Sequence, residues 1–144
     1  MKKRLERQDE IRRIVRSERV KTQRALVELL EAGGWVCTQA TVSRDIAEMG
    51  LRKLPEGVYV LAEDLHLQRM VADLVIDVKR SEKLVLVKAS SGTAPGVAAA
   101  IDGAEMQGIL GSVAGDDTIL IISTGESEAA MLVDTLDKFR GVAP

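Results

Sequence analysis

The sequence predicts a two-unit protein, a three-helix front closed by a β-hairpin and then an α+β sandwich. Three observations predict it. Helical periodicities with capping residues fill the first 62 positions, β-branched runs dominate after position 74, and the charge divides along nearly the same line. Residues 1–62 hold 13 basic and 9 acidic side chains and residues 63–144 hold 7 and 13, so a net charge of -2 conceals a basic front and an acidic back. A chain of 144 residues is long enough for two small domains. The charge contrast makes the front the candidate for a polyanionic partner such as nucleic acid.

Spacing predicts each element of the front. Leu5, Ile11, Ile14 and Val15 recur on one helical face, with Arg12, Arg13, Arg16 and Arg19 between or just beyond them, which predicts a basic amphipathic helix. Thr22 is placed to cap a second helix with a Leu26, Leu29 and Leu30 stripe, ended by Gly33-Gly34. A third helix starts at Thr38, and its Val42, Ile46 and Met49 leave Ala40 and Arg44 on the far side, flanked by Thr41 and Ser43. After Gly50, Leu51–Leu54 and Val58–Leu61 read as two short strands around Pro55-Glu56-Gly57.

That order is a winged helix-turn-helix over residues 1–62. Its third helix carries small or hydrogen-bonding residues and one guanidinium where a groove-facing surface would lie, so backbone could approach base edges while Arg44 reads guanine or grips phosphate. Arg52 and Lys53 on the wing, and the free amides opening the second and third helices, suit phosphate. A polar helix face is also what any solvated helix shows, with Arg44 and Glu48 an ordinary i,i+4 surface pair. Trp35 and Cys37 read as loop packing, and a redox role for Cys37 lacks a cationic cluster nearby.

Residues 63–73 read as a linker with some helix, and His66 there as a solvated side chain. The back unit, residues 74–144, runs Leu74–Val78, Lys83–Ala89, an Ala-rich helix over Val97–Ile101, Gly108–Ala114, Thr118–Ser123 and a last helix Glu126–Phe139 with Ala130, Val133 and Leu136 on one side. The ββαββα order predicts an antiparallel sheet with two helices on one face. With one aromatic and flat surfaces rich in Ala and Gly, this unit is expected to complete its burial by oligomerising. Gly115-Asp116-Asp117-Thr118 puts adjacent carboxylates at a tight turn, which suits a guanidinium cation but is equally what a hairpin turn prefers for backbone reasons. Asp102 reads as a plain surface acid.

Several classes fall away. No apolar run approaches the roughly 20 residues of a membrane span, and the basic start lacks a signal-peptide core, so a cytoplasmic protein is expected. One Cys and one His make neither a disulfide nor a thiol/imidazole zinc site within one chain. A small hydrolase using Asp116 and Asp117 is disfavoured, because neighbours on a tight turn do not flank a substrate and no nucleophile accompanies them.

Thr38-Gln39-Ala40-Thr41-Val42-Ser43-Arg44-Asp45-Ile46, taken with Gly108-Ile109-Leu110-Gly111-Ser112-Val113-Ala114-Gly115-Asp116-Asp117-Thr118, closely resembles the bacterial arginine repressor family, and the likeness runs from about Arg7 to Phe139. The resemblance implies a transcriptional regulator of arginine metabolism rather than an enzyme. Its winged helix-turn-helix would read palindromic double-stranded operator DNA, and its C-terminal domain would trimerise, with two trimers stacked into a hexamer around L-arginine as co-repressor. No other cofactor and no metal is implied. By position, Ser43 and Arg44 would make the main DNA contacts with Gln39 and Thr41 beside them. Asp116 would meet the guanidinium across the trimer–trimer contact, Asp102 and Asp117 would hold the amino end, and Ser112 and Ala114 would add polar or backbone contacts. The family usually enters the Ala-rich helix with Gly-x-Ala-Gln, whereas this chain has Gly92-Thr93-Ala94-Pro95. Proline removes that amide contact, worth about 1.5 to 3 kcal/mol, unless Thr93 replaces it. The departure keeps open a regulator of the same architecture that senses another amino acid, such as citrulline, or none.

Overall fold

The computed structural model describes residues 2–142, which form two compact units dividing between Ala62 and Glu63. In the first, helices α1 (Lys2–Ser17), α2 (Gln23–Ala32) and α3 (Gln39–Met49) precede strands β1 (Leu51–Lys53) and β2 (Tyr59–Leu61). Both threonine caps form: the Thr22 hydroxyl accepts from the Ala25 amide at 3.0 Å and that of Thr38 from the Thr41 amide at 3.2 Å. Gly50 ends α3 in the left-handed region, at φ 68°, and turns the chain straight into the hairpin. Ile11, Ile14, Val15, Leu26, Leu30, Val42, Leu51, Tyr59 and Leu61 make the core, with Trp35 and Cys37 packed against it. Leu5 is exposed, so the buried stripe of α1 starts later than the sequence spacing suggests. The Tyr59 amide donates to the Val20 carbonyl at 2.8 Å, tying the wing to the α1–α2 connection.

The second unit comprises α4 (Leu65–Leu74), β3 (Val75–Ser81), β4 (Leu84–Ala89), α5 (Ala94–Gly103), β5 (Ile109–Ala114), β6 (Thr118–Ser123) and α6 (Glu126–Arg140). Its sheet is antiparallel throughout, in the order β3-β4-β6-β5. Val85, Val87, Ala89, Ile119 and Ile121 alternate onto the buried face, which α5 and α6 cover. The segment expected as a linker with some helix is helical over most of its length and belongs to this unit: after a short 3-10 turn, α4 buries Leu67 and Val71, one turn apart, against α5 and α6. Its apolar residues fall on one helical side among polar neighbours, a pattern that packing, not composition, turns into a third helix of this layer. Helix α6 faces the core with Ala129, Leu132, Leu136 and Phe139; the expected Ala130 and Val133 are only half-buried, because the stripe follows Phe139, the unit's single aromatic.

The opposite sheet face is apolar and open. Leu86 of β4, Leu120 of β6 and Val113 of β5 lie in one cross-strand row, and Leu84 pairs with Ile122 in the next. Their exposures run from 36% for Leu120 to 69% for Val113, with Leu110 at 70%. A monomeric protein rarely leaves such a contiguous apolar surface to water.

Candidate nucleic-acid interface and effector site

Helix α3 presents two chemically distinct sides. Gln39, Ala40, Ser43, Arg44 and Ala47 are exposed on one, while Val42 and Asp45 are buried on the other. Arg44 is left without an ion pair among the described residues, since Glu48, its i+4 candidate, lies toward Arg4 at 3.9 Å and accepts from the Gln8 amide at 2.9 Å. Thr41 is half-buried and its hydroxyl oxygen lies 3.0 Å from that of Thr38, so it belongs to the cap as much as to the open face. Arg52 and Lys53 are both exposed, but as strand neighbours they leave β1 on opposite sides, and the Lys53 ammonium sits over the Tyr59 ring at 5.1 Å.

Sequence reasoning missed Asp45, which is 1% exposed. Arg7 of α1 forks onto it, Nε to Oδ2 at 2.5 Å and Nη2 to Oδ1 at 3.0 Å, and the Gln8 amide donates to Oδ1 at 3.0 Å. The available signal was an acid beside the Val42–Ile46–Met49 stripe, with an Arg two helices earlier. Burial pushes the Asp45 carboxyl up, but the hydrogen bonds from Arg7 and Gln8, with the charges of Arg7 and Arg4, outweigh it and hold the group below its usual range. A carboxyl whose folded-state pKa lies below its unfolded value near 3.9 contributes stability that is full above about pH 4 and lost as pH falls through the folded pKa. Acid titration followed by Trp35 fluorescence is expected to show this loss in the native chain and not in Asp45→Asn; identical acid transitions would refute the assignment. Asp45→Ala, which strands the 15%-exposed Arg7, is expected to destabilise the first unit by about 3 to 5 kcal/mol in urea unfolding. Cys37 is half-buried and burial pushes its thiol up, which disfavours the reactive thiolate.

In the second unit the carboxylate turn and the loop before α5 come together. The Ala94 amide donates to the Asp116 carbonyl at 3.1 Å, and the Ala89 amide to that of Asp117 at 2.7 Å, while Gly115 and Thr118 close the turn at 2.8 Å. The two adjacent acids then diverge. Asp117 is neutralised inside the chain, with Lys88 Nζ at 2.8 Å and the Thr118 hydroxyl donating at 2.9 Å, and the Lys88 and Thr118 hydrogen bonds hold its carboxyl below the usual range. Asp116 is exposed and receives only a hydroxyl, from Ser91 at 3.1 Å, so its charge meets no cation among the described residues. Ser91 is a residue that sequence reasoning did not select; its signal was a hydroxyl just before Gly92, whose φ of 79° turns the loop toward the hairpin.

Thr93 donates its hydroxyl to the Ser90 carbonyl at 2.7 Å, so it serves the loop rather than an open surface. Pro95 sits in the first turn of α5, exposed, with no donor to offer. Asp102 lies at the other end of α5, where the helix dipole favours a cation, and accepts from Ser112 at 3.3 Å. Ser112 and Ala114 pair with Ile121 and Ile119 along the edge strand β5, so the end of α5 carries Asp102, β5 carries Ser112 and Ala114, and the turn after β5 carries Asp116. This is an acidic margin that suits an organic cation with two separated polar ends. Among the described residues no three His, Cys, Asp or Glu side chains cluster to hold a metal ion, and no helix is long and apolar enough to cross a membrane.

Comparison with known proteins agrees with both halves. Residues 1–67 match the family model "Arginine repressor, DNA binding domain" and residues 71–138 match "Arginine repressor, C-terminal domain". The chain is 39% identical to the arginine repressor of Carboxydothermus hydrogenoformans over 146 aligned positions, 94% of this chain and 97% of that protein. It is 44% identical to the arginine repressor of Thermus thermophilus, covering 90% of this chain and 85% of that one, and 44% identical to that of Halothermothrix orenii over 76% and 81%. With both domain models matched in chain order and relatives aligned over nearly the full length, the chain belongs to the arginine repressor family, a family of transcriptional regulators and not of enzymes.

Proposed function

We propose that this protein is a cytoplasmic, arginine-dependent regulator of arginine metabolism genes that binds palindromic operator DNA as a hexamer, a dimer of trimers, with L-arginine as co-repressor. The observation that carries the reading is the pair of open charges in two units of one chain. Arg44 stands on a small-residue helix face without an ion pair among the described residues, and Asp116 stands at a turn whose neighbour Asp117 is already neutralised. A guanidinium fits Asp116 because its planar donors match carboxylate oxygens two at a time. Asp102 and Ser112 are then set for the ligand's amino end, and Asp117 acts through its bond to Lys88 as a support for the turn.

The apolar sheet face supports assembly, since copies packed on it would remove Leu86, Leu120 and Val113 from water together. Arginine bound only where two trimers meet favours the hexamer by linkage, and the hexamer presents several DNA-reading units at once. One winged unit makes few contacts; linked copies gain effective concentration. Arginine is therefore expected to tighten operator binding in a gel-shift titration. DNA binding that is intact but indifferent to arginine would overturn the proposal.

A second effector reading is kept by Pro95, which supplies no amide at the ligand margin. Calorimetry comparing arginine, citrulline, ornithine and lysine separates the two readings, because only arginine brings a full guanidinium to Asp116.

A further inference from the structure

Asp45 carries no role in the reading above, although it is the buried charge of α3. Burying an ion pair between two helices is not the strongest way to hold them together, since apolar residues of similar volume often do so as well or better. What the pair adds is geometry. The Arg7 fork donates to both oxygens of the Asp45 carboxylate, through bonds of 2.5 and 3.0 Å, and the Gln8 amide donates to Asp45 at 3.0 Å and to Glu48 at 2.9 Å. Two adjacent residues of α1 thus grip two positions of α3 that are one turn apart, which restrains both the roll and the axial slide of that helix. Apolar contacts such as Val42 against the core restrain neither as sharply, because dispersion is non-directional.

Arg44, next to Asp45, shares this constraint from the opposite side. Base edges are read by hydrogen bonds with narrow geometry, whereas phosphate contacts tolerate a shifted helix. We propose that Arg7 and Gln8 are positioning residues that set base-sequence discrimination by α3, acting through Asp45 and Glu48. The inference rests on the reading of α3 as the DNA-recognition helix.

The test uses the full-length protein and two duplexes of equal length, one carrying the site that the native protein selects from a random library and one with that site scrambled. Arg7→Lys keeps the charge and loses the fork, and Gln8→Ala removes only the bridge, so each is assayed after its fold is verified by circular dichroism. The expected result is about tenfold less discrimination for Arg7→Lys and a smaller loss for Gln8→Ala, with unchanged affinity and salt slope on the scrambled duplex. Equal weakening on both duplexes, or undiminished discrimination in a folded variant, would overturn the proposal. Should Arg7→Lys fail to fold, Gln8→Ala decides alone. Arg44→Ala separates the two levels: if it retains discrimination, the reading of α3 itself fails. If Arg44→Ala loses discrimination while Arg7→Lys and Gln8→Ala keep it, only the positioning role fails.

Discussion

Asp116→Asn is expected to weaken arginine binding on the order of a hundredfold while leaving arginine-independent DNA binding in place. The substitution keeps size and an acceptor but removes the charge that a guanidinium needs, and truncating one side of a hydrogen-bonded charge pair at an interface commonly has effects of that size. Asp116 is the carboxylate at risk because it is the exposed one; Asp117 is held by Lys88 and Thr118, so Asp117→Asn is expected to act less on the ligand and more on the turn. Calorimetry with arginine, beside a gel shift without it, makes the check. Loss of DNA binding in the arginine-free gel shift together with loss of arginine binding would assign Asp116 a structural role instead. The converse change, Pro95→Gln, restores an amide at the start of α5 and is expected to tighten arginine binding about tenfold.

If the proposed assembly forms on the open sheet face, Leu120→Asp is expected to leave the protomer folded and give monomers at micromolar concentration. Leu120 lies between Leu86 and Val113 on the open sheet face, where it is 36% exposed in the single chain, so a carboxylate there can reach water in the protomer. Between copies the same carboxylate would be buried without a partner, which is far less favourable than the leucine it replaces. Sedimentation measures the assembly. Operator affinity is expected to fall by about two to four orders of magnitude as linked binding is lost. A Leu120→Asp protein with the same oligomeric state as the native chain would show that this face is not where copies meet.

The fold of the first unit was legible because its information is local. Thr22 and Thr38 cap within three residues of themselves, and Val42 and Ile46 repeat within one helical turn. Helix α4 was less legible, because its stripe of Leu67 and Val71 is thin among polar residues and becomes decisive only when α5 and α6 cover it. The same holds for α6, where the periodicity admits more than one face and Phe139 selects the buried one. In the candidate sites, the Asp116 turn and the Arg44 face were visible as motifs. The Ser91 contact to Asp116 spans 25 positions of sequence and the Arg7 contact to Asp45 spans 38, and no spacing rule reaches that far.

The sequence by itself determined the order of the two units, the caps and turns that delimit their elements, and the residue types available to DNA and to a cationic ligand. Only the tertiary structure decided which charges are spent within the chain and which remain open. It pairs Asp45 with Arg7 and Asp117 with Lys88, and it leaves Arg44 and Asp116 facing outward. The physical reason is that backbone propensity and amphipathic period act over a few residues. Neutralising a carboxylate instead requires a donor brought within about 3 Å by the topology, often from a distant part of the chain.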